Sequence, residues 1–373
     1  MKVSMANLNA LHRPILASLQ KAVDEVLSSG CFVRGEHLKK FEESIADNIG
    51  VDHAIGVGSG TDALLLALRA LGIGPGDEVI MPAFTIFVDA EVILLLGATP
   101  VLVDIDPKTF NIDPSLIEPA ITERTKAILA VDLFGNPAEF HDLRKVAAEH
   151  NLALIEDAAQ ALGAGYHGEF AGSLGDLGCF SFYPTKNIGA CGNGGLVTTN
   201  DSGLARRLRL LRFHGDIGNY THTCLGRHSI LDEIQAAILR IKMAYLEMWN
   251  DRRRANAALY REGLHSLPLR IPEEPLDGWH IYHQFTVAVP GLRDKLRAHL
   301  LGSGIETAVY YPNTVYHQRP LSGRYETQPS FPCAEKAVRE VVSLPIHPAL
   351  TDEQIDYVIQ TVRRFFEHEE QSD

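Results

Sequence analysis

Glu156-Asp157-Ala158-Ala159-Gln160 closes one apolar run, Ser181-Phe182-Tyr183-Pro184-Thr185-Lys186-Asn187 closes the next, and Gly192-Asn193-Gly194-Gly195 opens a third. An acid ends one predicted strand, a lysine follows its neighbour, and small residues crowd both. In a parallel sheet the strand ends gather at one edge, and ligands bind along it. The pattern therefore predicts that Asp157 and Lys186 meet at that edge, one on each side of a small aromatic ring.

Working outward, strands are predicted at Ala54–Val57, Glu78–Met81, Pro100–Asp104, Lys126–Val131, Leu152–Glu156, Cys179–Phe182 and Gly195–Thr199. Helical spacing marks Pro14–Leu27, Glu36–Ile49, Ala63–Leu71 and His141–His150, with a polar helix near Pro114–Ile121 and a basic one over Leu204–Arg212. Such alternation predicts an α/β fold with a seven-stranded, mostly parallel sheet covered on both faces. A long helix predicted from Asp232 to about Leu264 carries the chain into a smaller α/β unit, so residues 1–245 read as a large domain and 246–373 as a small C-terminal one. In the latter, strands are predicted at Ile281–Val289, Thr307–Tyr311 and Val342–Leu344, and a helix at Leu292–Leu301. A capping box, Thr351-Asp352-Glu353-Gln354, opens a last helix to Phe366.

The 373 residues suffice for a large core and two domains. With 46% hydrophobic and 22% charged residues, the composition is that of a globular protein. A net charge of -13 argues against a nucleic-acid partner, and an anionic substrate would need a local basic patch. Arg206, Arg207, Arg209 and Arg212 offer one such patch; a solvated helix face is the other reading. The apolar stretch Ile86–Leu96 is interrupted by Asp89 and Glu91, so no membrane span is predicted, and no secretory leader is seen. Five scattered cysteines, and 16 histidines in no metal-protease pattern, predict a cytoplasmic protein without a zinc site. His280 and His283 read as strand residues.

A lysine and a carboxylate facing across a ring suit pyridoxal phosphate: the lysine forms a Schiff base with the aldehyde, and the acid keeps the ring nitrogen protonated. Read singly, Lys186 is a surface residue and Asp157 a helix cap. Gly58-Ser59-Gly60-Thr61-Asp62 joins a predicted strand to a predicted helix. Its backbone N–H groups and the helix dipole favour an anion, which makes it a candidate phosphate cup. A tight turn with Thr61 or Asp62 as N-cap is the alternative; no Gly-Lys-Ser/Thr follows, so it is not a Walker loop.

Taken whole, Glu156–Gly163, Ser181–Gly195 and Gly226-Arg227-His228-Ser229-Ile230-Leu231-Asp232-Glu233-Ile234-Gln235 resemble the sugar aminotransferases of the DegT/DnrJ/EryC1/StrS family, within fold type I of the pyridoxal-phosphate enzymes. The resemblance runs from about Asn9 to the last helix. It implies an aspartate-aminotransferase-like fold and a homodimer with shared active sites. It places Lys186 as Schiff-base lysine and proton carrier, Asp157 on the ring nitrogen, and Gly60, Thr61 and Ser181 on the phosphate. Phe84 would lie flat on the pyridine and Gln160 would bond the ring hydroxyl. His228 stands where the family usually carries an asparagine that reaches the partner's phosphate, and it can still donate a hydrogen bond. Ile230 stands where arginine is usual, so any contact of that arginine is lost or moved. Tyr310, Tyr311 and His317 resemble positions on the substrate side, although core packing explains the tyrosines equally well.

The implied donor is an amino acid such as L-glutamate, and the acceptor a keto sugar, usually nucleotide-linked. Ala308-Val309-Tyr310-Tyr311-Pro312 and Ser343-Leu344-Pro345-Ile346-His347-Pro348 are similar to members acting on 3-oxo sugars; 4-oxo sugars and free keto-cyclitols remain open. Relatives that dehydrate sugars have a histidine for the lysine or an iron–sulfur cluster, and neither pattern is present. The non-enzyme reading is a cofactor-binding sensor or partner protein.

Overall fold

The computed structural model describes residues 1–275, 277–321, 323 and 330–370. Its frame is a seven-stranded sheet built from β1 (His53–Val57), β2 (Glu78–Pro82), β3 (Thr99–Val103), β4 (Thr125–Val131), β5 (Ala153–Asp157), β6 (Leu177–Ser181) and β7 (Gly195–Thr199). The spatial order is β1-β7-β6-β5-β4-β2-β3. Only β7 runs against its neighbours, pairing antiparallel with β1 and β6. The other pairs are parallel, so β2, β4, β5 and β6 deliver their C-terminal ends to one edge. Nearly every residue of β2, β4, β5 and β7 is buried, which is why these strands read as continuous apolar runs rather than as alternation.

The helix α1 (Gly60–Ala70) is apolar on all sides, and Ala63, Leu64, Leu65, Leu66, Ala67 and Leu68 are all buried. Such a helix belongs inside; it packs on β6 and β7, which points its N-terminus at the ligand edge. The predicted helix over Glu36–Ile49 is found with those bounds, and it starts at the buried carboxylate of Glu233, which accepts the N–H groups of Gly35, His37 and Leu38 at 2.7, 2.9 and 3.0 Å.

Several expectations are corrected. The long helix is two, α2 (Glu233–Met243) and α3 (Leu246–Leu264). The turn tightens where both Ala244 and Tyr245 donate to the Lys242 carbonyl, and Lys242, buried, is tied to the Gly189 carbonyl at 2.5 Å. No glycine or proline marks this break. The predicted strand Ile281–Val289 shortens to Phe285–Ala288, because Tyr282 takes a positive φ of 47° that ends extended backbone. It pairs antiparallel with Val341–Leu344. Thr307–Tyr311 is not a strand but a single bridge, Ala308 to Ser343. The polar helix near Pro114–Ile121 is two short 3-10 turns. Helices over Val88–Leu95 and Pro332–Glu340 were not predicted. The capping box stands as read: Thr351 and Gln354 exchange hydrogen bonds at 3.1 and 3.2 Å, and the helix runs to Glu370. Among the described residues no helix is long and apolar enough to cross a membrane.

Candidate active site

Asp157 is the last residue of β5 and lies in register with Cys179 of β6. Lys186 follows β6 by a turn in which its N–H donates to the Tyr183 carbonyl at 2.9 Å. Burial raises the Asp157 pKa, while the Ala159 N–H, donating to Oδ1 at 3.0 Å, and the Lys186 charge act against it. Burial likewise lowers the Lys186 pKa, opposed by Asp157 and Asp89. The two side chains are thus close enough for each charge to act on the other, at the sheet edge where the sequence places them.

Asp89, which sequence reading met only as an interruption of an apolar stretch, belongs to this edge. It has no exposed surface, Thr85 Oγ1 donates to its Oδ2 at 2.6 Å, and its remaining neighbour is the Asp157 carboxyl, within hydrogen-bonding contact. Burial first, then the Asp157 charge, push the Asp89 pKa well up. Two carboxyls in contact away from water do not both ionise. Asp89 is the neutral member and donates to Asp157. Asp132 and Glu156 repeat the pattern one layer down: Glu156 accepts N–H groups of Gly172, Leu174 and Gly175 at 2.5, 2.9 and 3.3 Å. Burial and the Glu156 charge push the Asp132 pKa well up. An acid, with Glu91, inside an otherwise apolar stretch was the available signal for Asp89.

The candidate phosphate cup lies beside this pair. Ser59, rather than Thr61 or Asp62, is the N-cap of α1, accepting the Asp62 N–H at 3.1 Å. Among the described bonds none is drawn from the N–H groups of Gly60 or Thr61. Ser181 closes over Gly60 so tightly that a Cβ there would sit 2.7 Å from the Ser181 Cβ, and only glycine fits. The second signature supports the cup from below. Ser229 Oγ takes the Gly58 N–H at 3.0 Å, Arg227 pairs with Asp62 at 3.0 Å, and Gln235 takes the Cys191 N–H at 2.8 Å.

The remaining expected residues divide. Gln160 is nearly buried, its Oε1 accepting the Phe134 N–H at 2.8 Å and its Nε2 donating to the Tyr311 hydroxyl at 3.2 Å. Tyr311 therefore joins the cleft through Gln160, and Tyr310 lines it beside Lys186. Phe84 has no exposed surface and packs among Phe110 and Tyr311 at centroid distances of 6.2 and 6.0 Å, while Ile86, two residues on, is 37% exposed. His317 bonds Thr314 Oγ1 at 2.9 Å in a 3-10 turn and borders a depression with Glu335 and Arg339. His228 is exposed, its ring near those of Phe213 and His214, and the partner it was expected to reach lies outside a single chain. Ile230 is 5% exposed and packs in an apolar cluster with Leu38, Phe41 and Leu231, so its environment calls for no charge.

Beside Lys186 a cavity of about 160 Å³ opens. Arg253, from α3, and His283, both absent from the sequence reading of the site, line it with Gln284 and His347. His283 is fixed by Asn187, its Nδ1 lying 2.9 Å from Asn187 Oδ1, and burial with Lys186 and Arg253 nearby holds its pKa well down. Burial, reinforced by Arg253, holds His347 down to about 4.

A lysine and a carboxylate near each other at the open edge of an α/β sheet, beside a helix start with free N–H groups, form the donor set that pyridoxal phosphate needs. The fold and site are those of a pyridoxal-phosphate-dependent aminotransferase. Residues 15–363 match the DegT/DnrJ/EryC1/StrS aminotransferase family, and the chain belongs to it. It is 44% identical, over 99% of its length and all of the relative's, to a pleiotropic regulatory protein of Geobacillus stearothermophilus. It is 44% identical, over 97% of each chain, to the UDP-N-acetyl-3-dehydro-alpha-D-glucosamine 3-aminotransferase of Acidithiobacillus ferrooxidans. It superposes with a TM-score of 0.95, at 45% identity over 98% of this chain and 99% of the other, on DesV of S. venezuelae in complex with a ketimine intermediate.

Proposed function

We propose that the protein transfers an amino group from an amino acid, L-glutamate, to the 3-oxo group of a nucleotide-linked sugar. The placement of Lys186 and Asp157 at one sheet edge, near enough for each charge to act on the other, carries the reading, and the 3-aminotransferase among its relatives supports the ring position. Pyridoxal phosphate, when bound, supplies an electron sink for the carbanion formed at the donor's α-carbon. Gly60, Thr61 and Ser181 hold its phosphate, and His228 of a second copy completes that grip. Lys186 would hold the aldehyde until the donor's amine displaces it; the freed Lys186 amine would then take the proton from the donor's α-carbon as base and deliver it as acid to the former aldehyde carbon. Burial, which already lowers its pKa, favours the neutral amine that this step needs. Asp157, with Asp89 donating to it, stays anionic beside the ring nitrogen and keeps that nitrogen protonated. The same Lys186 serves the second half-reaction in reverse, on the keto sugar.

A homodimer in the cytoplasm completes the reading. In support, the loop before His228 exposes Tyr220 at 93% and Leu225 at 83%, apolar surface that a second copy would cover. The regulatory name of the Geobacillus relative belongs to that protein. A passive cofactor binder would have no use for a proton-carrying amine, and a cofactor absorption band that shifts when glutamate is added separates the two. Purified protein given glutamate and, in turn, a 3-oxo nucleotide sugar, a 4-oxo nucleotide sugar and a keto-cyclitol, with product masses recorded, tests the substrate. Amination of the 3-oxo sugar alone is expected; amination of only the cyclitol overturns it.

A further inference from the structure

We propose that the cavity beside Lys186 is the seat of the amino donor, with Arg253 binding its α-carboxylate; this rests on the aminotransferase reading above. Arg253 is 6% exposed, and one nitrogen, Nη1, serves the carbonyls of Tyr282 and His283 at 3.2 Å each. Its Nε has no partner, and no described charge compensates it, burial alone acting on its pKa. Carbonyl dipoles satisfy hydrogen bonds but leave a net charge, and a buried guanidinium without a counter-ion is costly. Such a group is poised for an anion.

The rest of the lining agrees. Among the described residues, Lys186 and Arg253 are the charged ones lining the cavity and no acid lines it, and burial keeps His283 and His347 neutral. Gln284 Oε1 and His347 Nδ1 are buried there without partners. In a chain of net charge -13, a cavity without an acid is a selective basic spot. Size decides which anion. About 160 Å³ falls below the roughly 300–1,000 Å³ of sites for larger ligands, so the cavity suits an amino acid and not a nucleotide-linked sugar. An amino acid that reacts where Lys186 is attached carries its α-carboxylate one carbon away from the reacting nitrogen's own carbon. Arg253 borders the same small space. The planar guanidinium takes a carboxylate with two parallel bonds, which an ammonium cannot do.

The test uses the holoenzyme and the variants Arg253→Gln and Arg253→Lys. For Arg253→Gln the donor KM is expected to rise about 100-fold with kcat at saturating donor within about threefold, the signature of lost ground-state binding. Calorimetric affinity for L-2-hydroxyglutarate, which keeps both carboxylates but has no amine, should fall by a similar factor. Arg253→Lys, which keeps charge but not the fork, should lose about tenfold in both, and it decides the matter if the glutamine variant does not fold. Affinities within twofold of wild type in the folded variants overturn the Arg253 assignment while leaving the enzyme an aminotransferase. A wild type that accepts no amino donor overturns the aminotransferase reading instead.

Discussion

The two walls of the cleft are opposite in charge and in how they are held. On one wall Asp89, Asp157, Asp132 and Glu156 are buried, the last three on or beside strand ends and Asp89 in the first turn of the helix Val88–Leu95, and Asp157 and Glu156 are fixed by backbone N–H groups of Ala159, Gly172 and Leu174. On the other, Lys186, Arg253, His283 and His347 come from separated parts of the chain, Arg253 held by the His283 carbonyl and His283 by the Asn187 side chain. The acidic wall is built by the sheet and is rigid. The basic wall is assembled by packing. An amine-transfer site needs both: a fixed anion to keep a ring cationic, and a basic side where an incoming acid is recognised and a proton is moved.

The comparison is broken most severely at Lys186. Lys186→Ala is expected to lower turnover by about 10⁴-fold while cofactor remains bound noncovalently, read by assay and by absorbance after gel filtration. Near-normal turnover would remove the basic wall from the chemistry. Asp157→Ala is expected to cost about 10³-fold, because a neutral ring is a poor electron sink, with a changed cofactor spectrum as the second readout. Asp89 sharpens the contrast. Asp89→Asn keeps a donor toward Asp157 and should stay within about threefold of wild type, whereas Asp89→Ala should lose about tenfold. Equal losses in the two would show that Asp89 acts as an anion rather than as a neutral acid.

The smallest effect concerns stability. His347 is held down to about 4 from an ordinary 6.5. Between those values the unfolded chain takes up a proton that the folded chain does not, so stability falls as pH drops through this window and is level above it. The contribution between pH 7 and pH 4.5 is on the order of 2–3 kcal/mol. Urea unfolding of His347→Gln should show a shallower acid-side slope than wild type; parallel slopes would place the histidine in water.

One member of each wall was legible, Asp157 on the acidic and Lys186 on the basic. β5 and β6 are local apolar runs, and Asp157 and Lys186 stand just beyond them, so strand alternation alone brings them to one edge. The cup was legible for the same reason, although the cap is Ser59. Asp89 and Asp132 were missed because an acid in an apolar setting reads as an interruption until its neighbour is known. Of the basic wall only Lys186 was legible; Arg253, His283 and His347 were missed because they are far from it in sequence. His283 looked like a strand residue, and only the positive φ of Tyr282 turns the chain there. Arg253 sits in a run of three arginines, Arg252 to Arg254, that reads as a solvated face. The break at Ala244 and Tyr245 had no glycine or proline to announce it.

The helix α3 has one more consequence. Its first turns are pinned to the sheet-bearing part, where Asn250 Nδ2 donates to the Leu162 carbonyl at 3.0 Å and its Oδ1 accepts from Asn187 at 2.6 Å. Its last turns carry Tyr260 and Leu264 into the core of the C-terminal part. It is a beam clamped at both ends, and Asn187, the residue next to the reactive lysine, is one of the bolts. The helix thus ties the C-terminal core to the residue beside the working amine through one continuous run of backbone.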